Sequence, residues 1–143
     1  MADPLSIAAS IAGLAAAAGK IYSVLSAFVS DVADAPNSAQ RALHVVDGVA
    51  VTLSMVQSLI GDISSLPSHR KAMIRLDHII VTLSNCVLTL SELEAVVCKL
   101  DDVRSSYRQR LRWVQNQQKV DGLLQHLEAQ KTSLMLMVTV LQW

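Results

Sequence analysis

The sequence predicts an all-α protein: an up-and-down bundle of four to five helices whose first helix is long and apolar. The chain is 52% hydrophobic and only 3% aromatic, and its three Pro and five Gly are few enough for long uninterrupted helices. Apolar residues recur three and four positions apart through most of the chain, which is the spacing of one helix face. The breaks between these segments are short, which favours antiparallel neighbours. We predict a single domain over residues 1–143, with an apolar helix over 1–30 and the remaining bundle over 31–143.

The first predicted helix runs from about Pro4 to Ser30. Between Leu5 and Val29 it has one charged side chain, Lys20, in 25 positions. A helix of that length is about 37 Å long, enough to cross a hydrocarbon core of about 30 Å. Asp3 is placed to cap it, and Pro4 suits the first helical position. Two interpretations follow: a central helix buried in a bundle, or a helix that enters a membrane. A secretory signal is disfavoured because no Lys or Arg precedes the apolar run.

Three further segments carry the helical spacing. A second helix is predicted over 39–63 and a third over 69–100, followed by helices near 103–114 and 117–142. The polar run Gln115–Gln118 between the last two is read as a kink or loop, although a continuous helix also fits. Trp113 is expected to close one end of the bundle with its N–H on a partner. The apolar positions expected to form the core stripes are Val46, Val49, Leu53, Val56, Ile60 and Ile63; Leu76, Ile80, Leu83, Val87, Leu90, Leu93, Val97 and Leu100; and Val120, Leu123, Leu124, Leu127, Leu134, Val138 and Leu141.

The charge balance argues against a nucleic-acid-binding protein. Twelve basic and twelve acidic residues give a formal net charge of zero, so there is no overall basic field to attract phosphate. Basic residues nevertheless cluster in two places, at Arg70, Lys71 and Arg75 and again from Arg104 to Arg112. Such clusters are either solvated helix faces or sites for phospholipid headgroups.

No enzyme, metal or cofactor pattern is found in the sequence. The glycines match no phosphate-binding loop, there is no Gly-x-Ser-x-Gly motif, and the four His show no metal-ligand spacing. Cys86 and Cys98 fall within one predicted helix about 18 Å apart, too far to form a disulfide. We therefore expect a non-enzymatic intracellular protein with two buried, reduced thiols and no cofactor.

The opening stretch MADPLSIAASIAGL, residues 1–14, resembles the start of fungal HeLo-like domains. Residues 77–93, 110–114 and 123–134 are also similar to that family, so the resemblance covers nearly the whole chain. These domains stand at the N-terminus of fungal STAND (NOD-like receptor) proteins, ankyrin proteins and small cell-death effectors. The resemblance implies a helical bundle related to HeLo domains and, more distantly, to the bundle of the mixed-lineage kinase domain-like pseudokinase.

The resemblance also implies a function in fungal programmed cell death and heterokaryon incompatibility. An amyloid motif or an upstream NOD-like receptor brings copies together, the bundle rearranges, and the released N-terminal helix permeabilises the plasma membrane as an oligomer. The implied partners are membrane phospholipids, other copies of the chain and the upstream receptor, with a cytoplasmic resting state and a plasma-membrane active state. The main rival is a non-lytic homotypic or adaptor module at the N-terminus of a STAND-type signalling protein, in which the first helix stays buried.

Three sets of residues are expected to take part in the membrane activity. The large apolar residues of the first helix would contact lipid: Leu5, Ile7, Ile11, Leu14, Ile21, Leu25 and Phe28. Small residues of the same helix would allow close helix packing: Ala8, Ala12, Gly13, Ala16 and Ala17. Basic residues would contact phospholipid headgroups: Arg70, Lys71, Arg75, Arg104 and Arg108. Lys20 would reach an interface or line a wet oligomer interior.

Overall fold

A computed structural model of the chain describes residues 4–32, 36–61, 76–101 and 105–142, with side chains over 9–32, 36–60, 78–100, 105 and 107–140. The regular structure in these ranges is entirely α-helical. It forms four helices: α1 (Pro4–Asp31), α2 (Asn37–Gly61), α3 (Leu76–Asp101) and α4 (Ser106–Gln142). The all-α prediction is confirmed for the described residues, and their four helices agree with the expected four to five.

The four helices form a ring in which α1 and α4 each pack against both α2 and α3. One end of the bundle is defined by Trp113, which contacts Phe28 near the end of α1 and Ser38 near the start of α2. At the same end, the last turn of α3 meets the first turn of α4, where Gln109 Nε2 donates to Leu100 O at 2.9 Å. The chain therefore runs up, down, up and down. The pairs α1–α2 and α3–α4 are antiparallel as expected, whereas α1–α3 and α2–α4 are parallel neighbours.

The helix boundaries agree with the sequence predictions except in α4. The expected helix over 4–30 ends at Asp31, and the one over 39–63 begins at Asn37, with 62–63 outside the described residues. Within the expected third helix, residues 69–75 lie outside the described residues. Of the two alternatives left open for Gln115–Gln118, a kink or loop and a continuous helix, the structure has the continuous helix, because α4 runs through this segment without a break. Gln and Asn cost a helix only a few tenths of a kcal/mol each, roughly, so the polar run does not interrupt it.

The core is a single apolar cluster to which all four helices contribute. The expected stripes of α2 and α4 are buried wherever their side chains are described. In α3 the side chain of Leu76 lies outside the described residues, and the rest of the stripe is buried except at Ile80, which is half-buried, and Val87, which is 45% exposed. Two polar residues, Thr52 and Thr89, are buried in the core, and each hydroxyl donates to the backbone carbonyl four residues earlier. Because both hydroxyls are hydrogen-bonded, burying them costs little free energy.

Trp113 closes its end of the bundle, as the sequence predicts. The residue is 0% exposed, and its indole Nε1–H donates to Ser38 Oγ at 2.8 Å. Its ring packs against Phe28 with centroids 5.6 Å apart, so α1, α2 and α4 are tied together at one point. The two cysteines are free; Cys86 is buried, whereas Cys98 is only half-buried.

Candidate functional site

The inward face of α1 carries its large apolar side chains. The residues buried along this face are Ile11, Leu14, Ala18, Ile21, Leu25 and Phe28. Five of the seven residues expected to contact lipid are therefore core residues of the folded bundle. The side chains of the other two, Leu5 and Ile7, lie outside the described residues. These five side chains can meet lipid only if α1 leaves the bundle.

The outward face of α1 is built from small and polar residues. The exposed positions on this face are Ala9, Ala12, Gly13, Ala16, Gly19, Lys20, Ser23, Ala27, Ser30 and Asp31. Ser10 and Tyr22 are exposed as well, beside the buried face, and Tyr22 is 39% exposed. A Cβ added at Gly13 or Gly19 would meet nothing within 4 Å. Of the small residues expected to pack helices together, Ala17 is half-buried and Ala8 lies outside the described side chains. In the folded bundle the small face therefore points away from the neighbouring helices.

Lys20, the one charge between Leu5 and Val29, pairs with Glu94 of α3 at 3.1 Å. The two side chains are 62% and 34% exposed, so this is a surface ion pair of about 0–1 kcal/mol. The sequence draws attention to Lys20 as the lone charge but gives no sign of its partner, which lies 74 residues later. Lys20 also lies at the midpoint of the apolar segment Ala9–Asp31.

Hydropathy alone does not distinguish α1 from its neighbours. Three segments of the described chain are long and apolar enough to cross a membrane: Ala9–Asp31, Asn37–Ile60 and His78–Leu100. Each has a mean hydropathy of 1.5. The sequence analysis singled out only the first. The segments of α2 and α3 carry charges within them, at Arg41 and Asp47 and at Glu92, Glu94 and Lys99, whereas α1 has only Lys20 before its terminal Asp31.

Of the five basic residues expected to contact phospholipid headgroups, one lies within the described residues. Arg108 is exposed on α4, together with Arg110 and Arg112. Arg70, Lys71, Arg75 and Arg104 lie outside the described residues. An open groove of about 380 Å³ with a mixed polar and apolar lining runs between α3 and α4, lined by Asn85, Leu88, Thr89, Glu92, Leu123, His126 and Gln130. Among the described residues, no group of three His, Cys, Asp or Glu side chains could hold a metal ion.

The feature of the described chain that best fits a functional element is therefore α1, which has one face of large apolar side chains and one face of small and polar side chains. Its single central charge pairs with Glu94 of α3. Comparisons of the chain with protein-family models, with curated proteins and with solved structures find no match.

Proposed function

We propose that this domain is a cell-death effector that permeabilises the plasma membrane, with α1 as the helix that leaves the bundle and inserts. The observation that carries the proposal is the division of α1 into a large apolar face and a small-residue face. The sequence resemblance to fungal HeLo-like domains implies the same activity. In this proposal the bundle is a cytoplasmic resting state, and self-association or an upstream receptor shifts it to the membrane.

The burial of α1 sets the energy that such a release requires. Five large side chains of α1 lie in the core, and exposing each to water costs about 1.5–3 kcal/mol, or roughly 8–15 kcal/mol together. This is comparable with the whole stability of a domain, about 5–15 kcal/mol. Release into water would therefore be rare. Hydrocarbon is as apolar as the core, so transfer of the same face into lipid removes most of that cost.

Clustering of copies supplies the other part of the driving force. A conformational change needs differential stabilisation of the final state, and neighbouring copies on one membrane have a high effective concentration. The small face of α1 permits close contact between inserted helices. An oligomer of α1 helices would then present large apolar side chains to lipid and small side chains to one another.

Lys20 supports an oligomer rather than a single anchored helix. It lies 11 residues, about 17 Å, from the end of the apolar segment, and a four-carbon side chain does not reach the interface from there. A Lys facing lipid at the bilayer centre costs about 2.5–3.5 kcal/mol on insertion scales. We expect Lys20 to face a partner helix or a water-filled interior in the inserted state.

The test is dye release from anionic liposomes by the intact chain, with two matched charge variants. Ala16→Glu places a carboxylate on the outward face of α1, and Ala95→Glu does the same on α3, whose segment has the same mean hydropathy. Both positions are exposed, so both variants should keep the bundle. A carboxylate in the bilayer is costly, so release should be lost in the α1 variant and retained in the α3 variant.

Two results would contradict the proposal. If Ala16→Glu releases dye as well as the unchanged protein does, α1 is not the inserting helix. If the two variants lose release equally, the loss is not specific to α1, and the assignment of α1 as the one inserting helix is contradicted. Circular dichroism and thermal unfolding of both variants check that the bundle is intact.

A non-lytic interaction module is the second candidate, and the burial of α1 favours it. The apolar face of α1 is fully accounted for by the core, so lipid is not needed to explain it. This candidate predicts a stably folded chain that releases no dye, with self-association through the exposed small face of α1. Analytical ultracentrifugation would then show weaker association for Ala16→Glu than for Ala95→Glu.

A further inference from the structure

The first three turns of α4 expose apolar side chains on the side away from the core. Tyr107, Leu111 and Val114 are 75%, 45% and 51% exposed, whereas Trp113 between them is 0% exposed. Positions i, i+4 and i+7 lie on one helix face, so these three side chains form a short strip about 10 Å long. The sequence groups Leu111 and Val114 with Trp113, but in the structure Trp113 is buried whereas Leu111 and Val114 are exposed.

Arginines flank this strip on both sides. Arg110 lies three and four positions from Tyr107 and Val114, along one edge of the strip, and Arg108 lies along the other edge, three positions before Leu111. Arg112 lies on the same side as Arg108, further around the helix. All three are exposed, and no carboxylate among the described side chains lies within ion-pair distance of them. Residues 106–120 contain these arginines and Lys119 but no Asp or Glu, in a chain whose net charge is zero.

We propose that this face of α4, which we call the Tyr107 strip, docks the folded bundle on an anionic lipid bilayer. The layering of the strip matches that of a membrane interface, since apolar side chains enter the acyl boundary while flanking arginines meet headgroup phosphates. Tyrosine is enriched at that boundary, where its ring is apolar at one end and its hydroxyl stays wet. A single-stranded nucleic acid would use the arginines and the ring of Tyr107, but it would leave the aliphatic side chains of Leu111 and Val114 without a role.

The docking is independent of the proposed function, because it uses an outward face of the intact bundle. In the ring of helices α4 is diagonal to α1, so a bundle docked through α4 holds α1 on its far side. Each arginine at an anionic surface strengthens binding about fivefold, so three would favour an anionic over a neutral bilayer roughly 100-fold. Such binding is reversible and weakens as salt rises.

The test measures co-sedimentation of the intact chain with vesicles of phosphatidylcholine, with and without phosphatidylserine. Arg108→Gln/Arg110→Gln should weaken binding to the anionic vesicles about 30-fold. Its control, Arg41→Gln/Lys99→Gln, removes the same charge from exposed positions of α2 and α3 and should bind almost as well as the unchanged chain. A second pair of variants tests the contribution of the apolar side chains. Leu111→Gln/Val114→Thr should weaken binding to the anionic vesicles, whereas Leu136→Gln/Val140→Thr, at exposed positions near the other end of α4, should not.

The proposal is overturned if Arg108→Gln/Arg110→Gln and its control Arg41→Gln/Lys99→Gln weaken vesicle binding equally. It is overturned as well if neutral and anionic vesicles bind the unchanged chain equally. It is also overturned if a single-stranded oligonucleotide binds in an arginine-dependent way and vesicles do not. Dye release in the same samples separates this proposal from the previous one. Vesicle binding that depends on the arginines, without dye release, supports docking and counts against permeabilisation. Dye release that is unchanged in the arginine variant supports permeabilisation and counts against docking.

Discussion

Replacing Trp113 with alanine should destabilise the bundle by about 3–5 kcal/mol, the range for a buried aromatic residue. The residue is 0% exposed and contributes three separate terms at the point where α1, α2 and α4 meet. The stack on Phe28 accounts for about 0.5–1.5 kcal/mol of the loss and the hydrogen bond to Ser38 for about 1 kcal/mol. The remainder is apolar burial and the cavity left behind. A loss of this size is a large share of a stability of about 5–15 kcal/mol.

Urea unfolding followed by circular dichroism measures this loss, and a cycle of smaller variants identifies its source. Ser38→Ala leaves the buried indole N–H without an acceptor and should cost about 1–3 kcal/mol. The same change in a Trp113→Phe background should cost almost nothing, because no donor remains. The reasoning is refuted if Trp113→Ala costs under about 1 kcal/mol, or if Ser38→Ala costs the same in both backgrounds.

Three further predictions concern charge, thiol chemistry and helix propensity. The Lys20–Glu94 coupling, measured by a double-mutant cycle with glutamine at each position, should be under about 1 kcal/mol and should shrink in high salt. Burial raises the pKa of Cys86 from 9.0 to about 11, so in the folded protein Cys98 should react first with a thiol reagent. Because the unfolded state loses this proton first, stability should fall as pH rises from 9 to about 11, and less so in Cys86→Ala. Gly13→Ala should raise the unfolding free energy by about 0.5–1 kcal/mol, because the added methyl group meets no atom within 4 Å; a lowered thermal midpoint would contradict that.

The all-helical fold follows from the sequence because the apolar spacing is clear over most of the chain. The same apolar spacing also predicts that the helix continues through the polar run Gln115–Gln118 in α4. Trp113 and Val120 are seven positions apart and both 0% exposed, so one buried stripe passes directly through Gln115–Gln118. Asn116 also donates to Arg112 O at 2.9 Å, a local bond within the helix. Composition suggested a break there, but the periodicity across the run predicts continuity.

The candidate sites show where periodicity is insufficient. Leu111 and Val114 are as apolar as the core residues, yet they face outward because only the position of α2 and α3 determines which side of α4 is covered. The partner of Lys20 is likewise set by the pairing of α1 with α3, which no local pattern encodes. The equal hydropathy of three segments shows a further limit, since composition does not say which helix can leave the bundle.

The order of helices in the ring determines how the domain can open. The first helix packs against α2 and α3 and touches α4 where Phe28 meets Trp113, whereas α2 and α3 each also pack on α4. A separation of α1 would remove these contacts but would leave the α2–α4 and α3–α4 interfaces in place. We expect native-state hydrogen exchange to resolve an opening of α1 at lower free energy than global unfolding, with the slowest amides in the half of α4 that faces α2 and α3. Such a domain would exchange its resting and open states without passing through the unfolded chain.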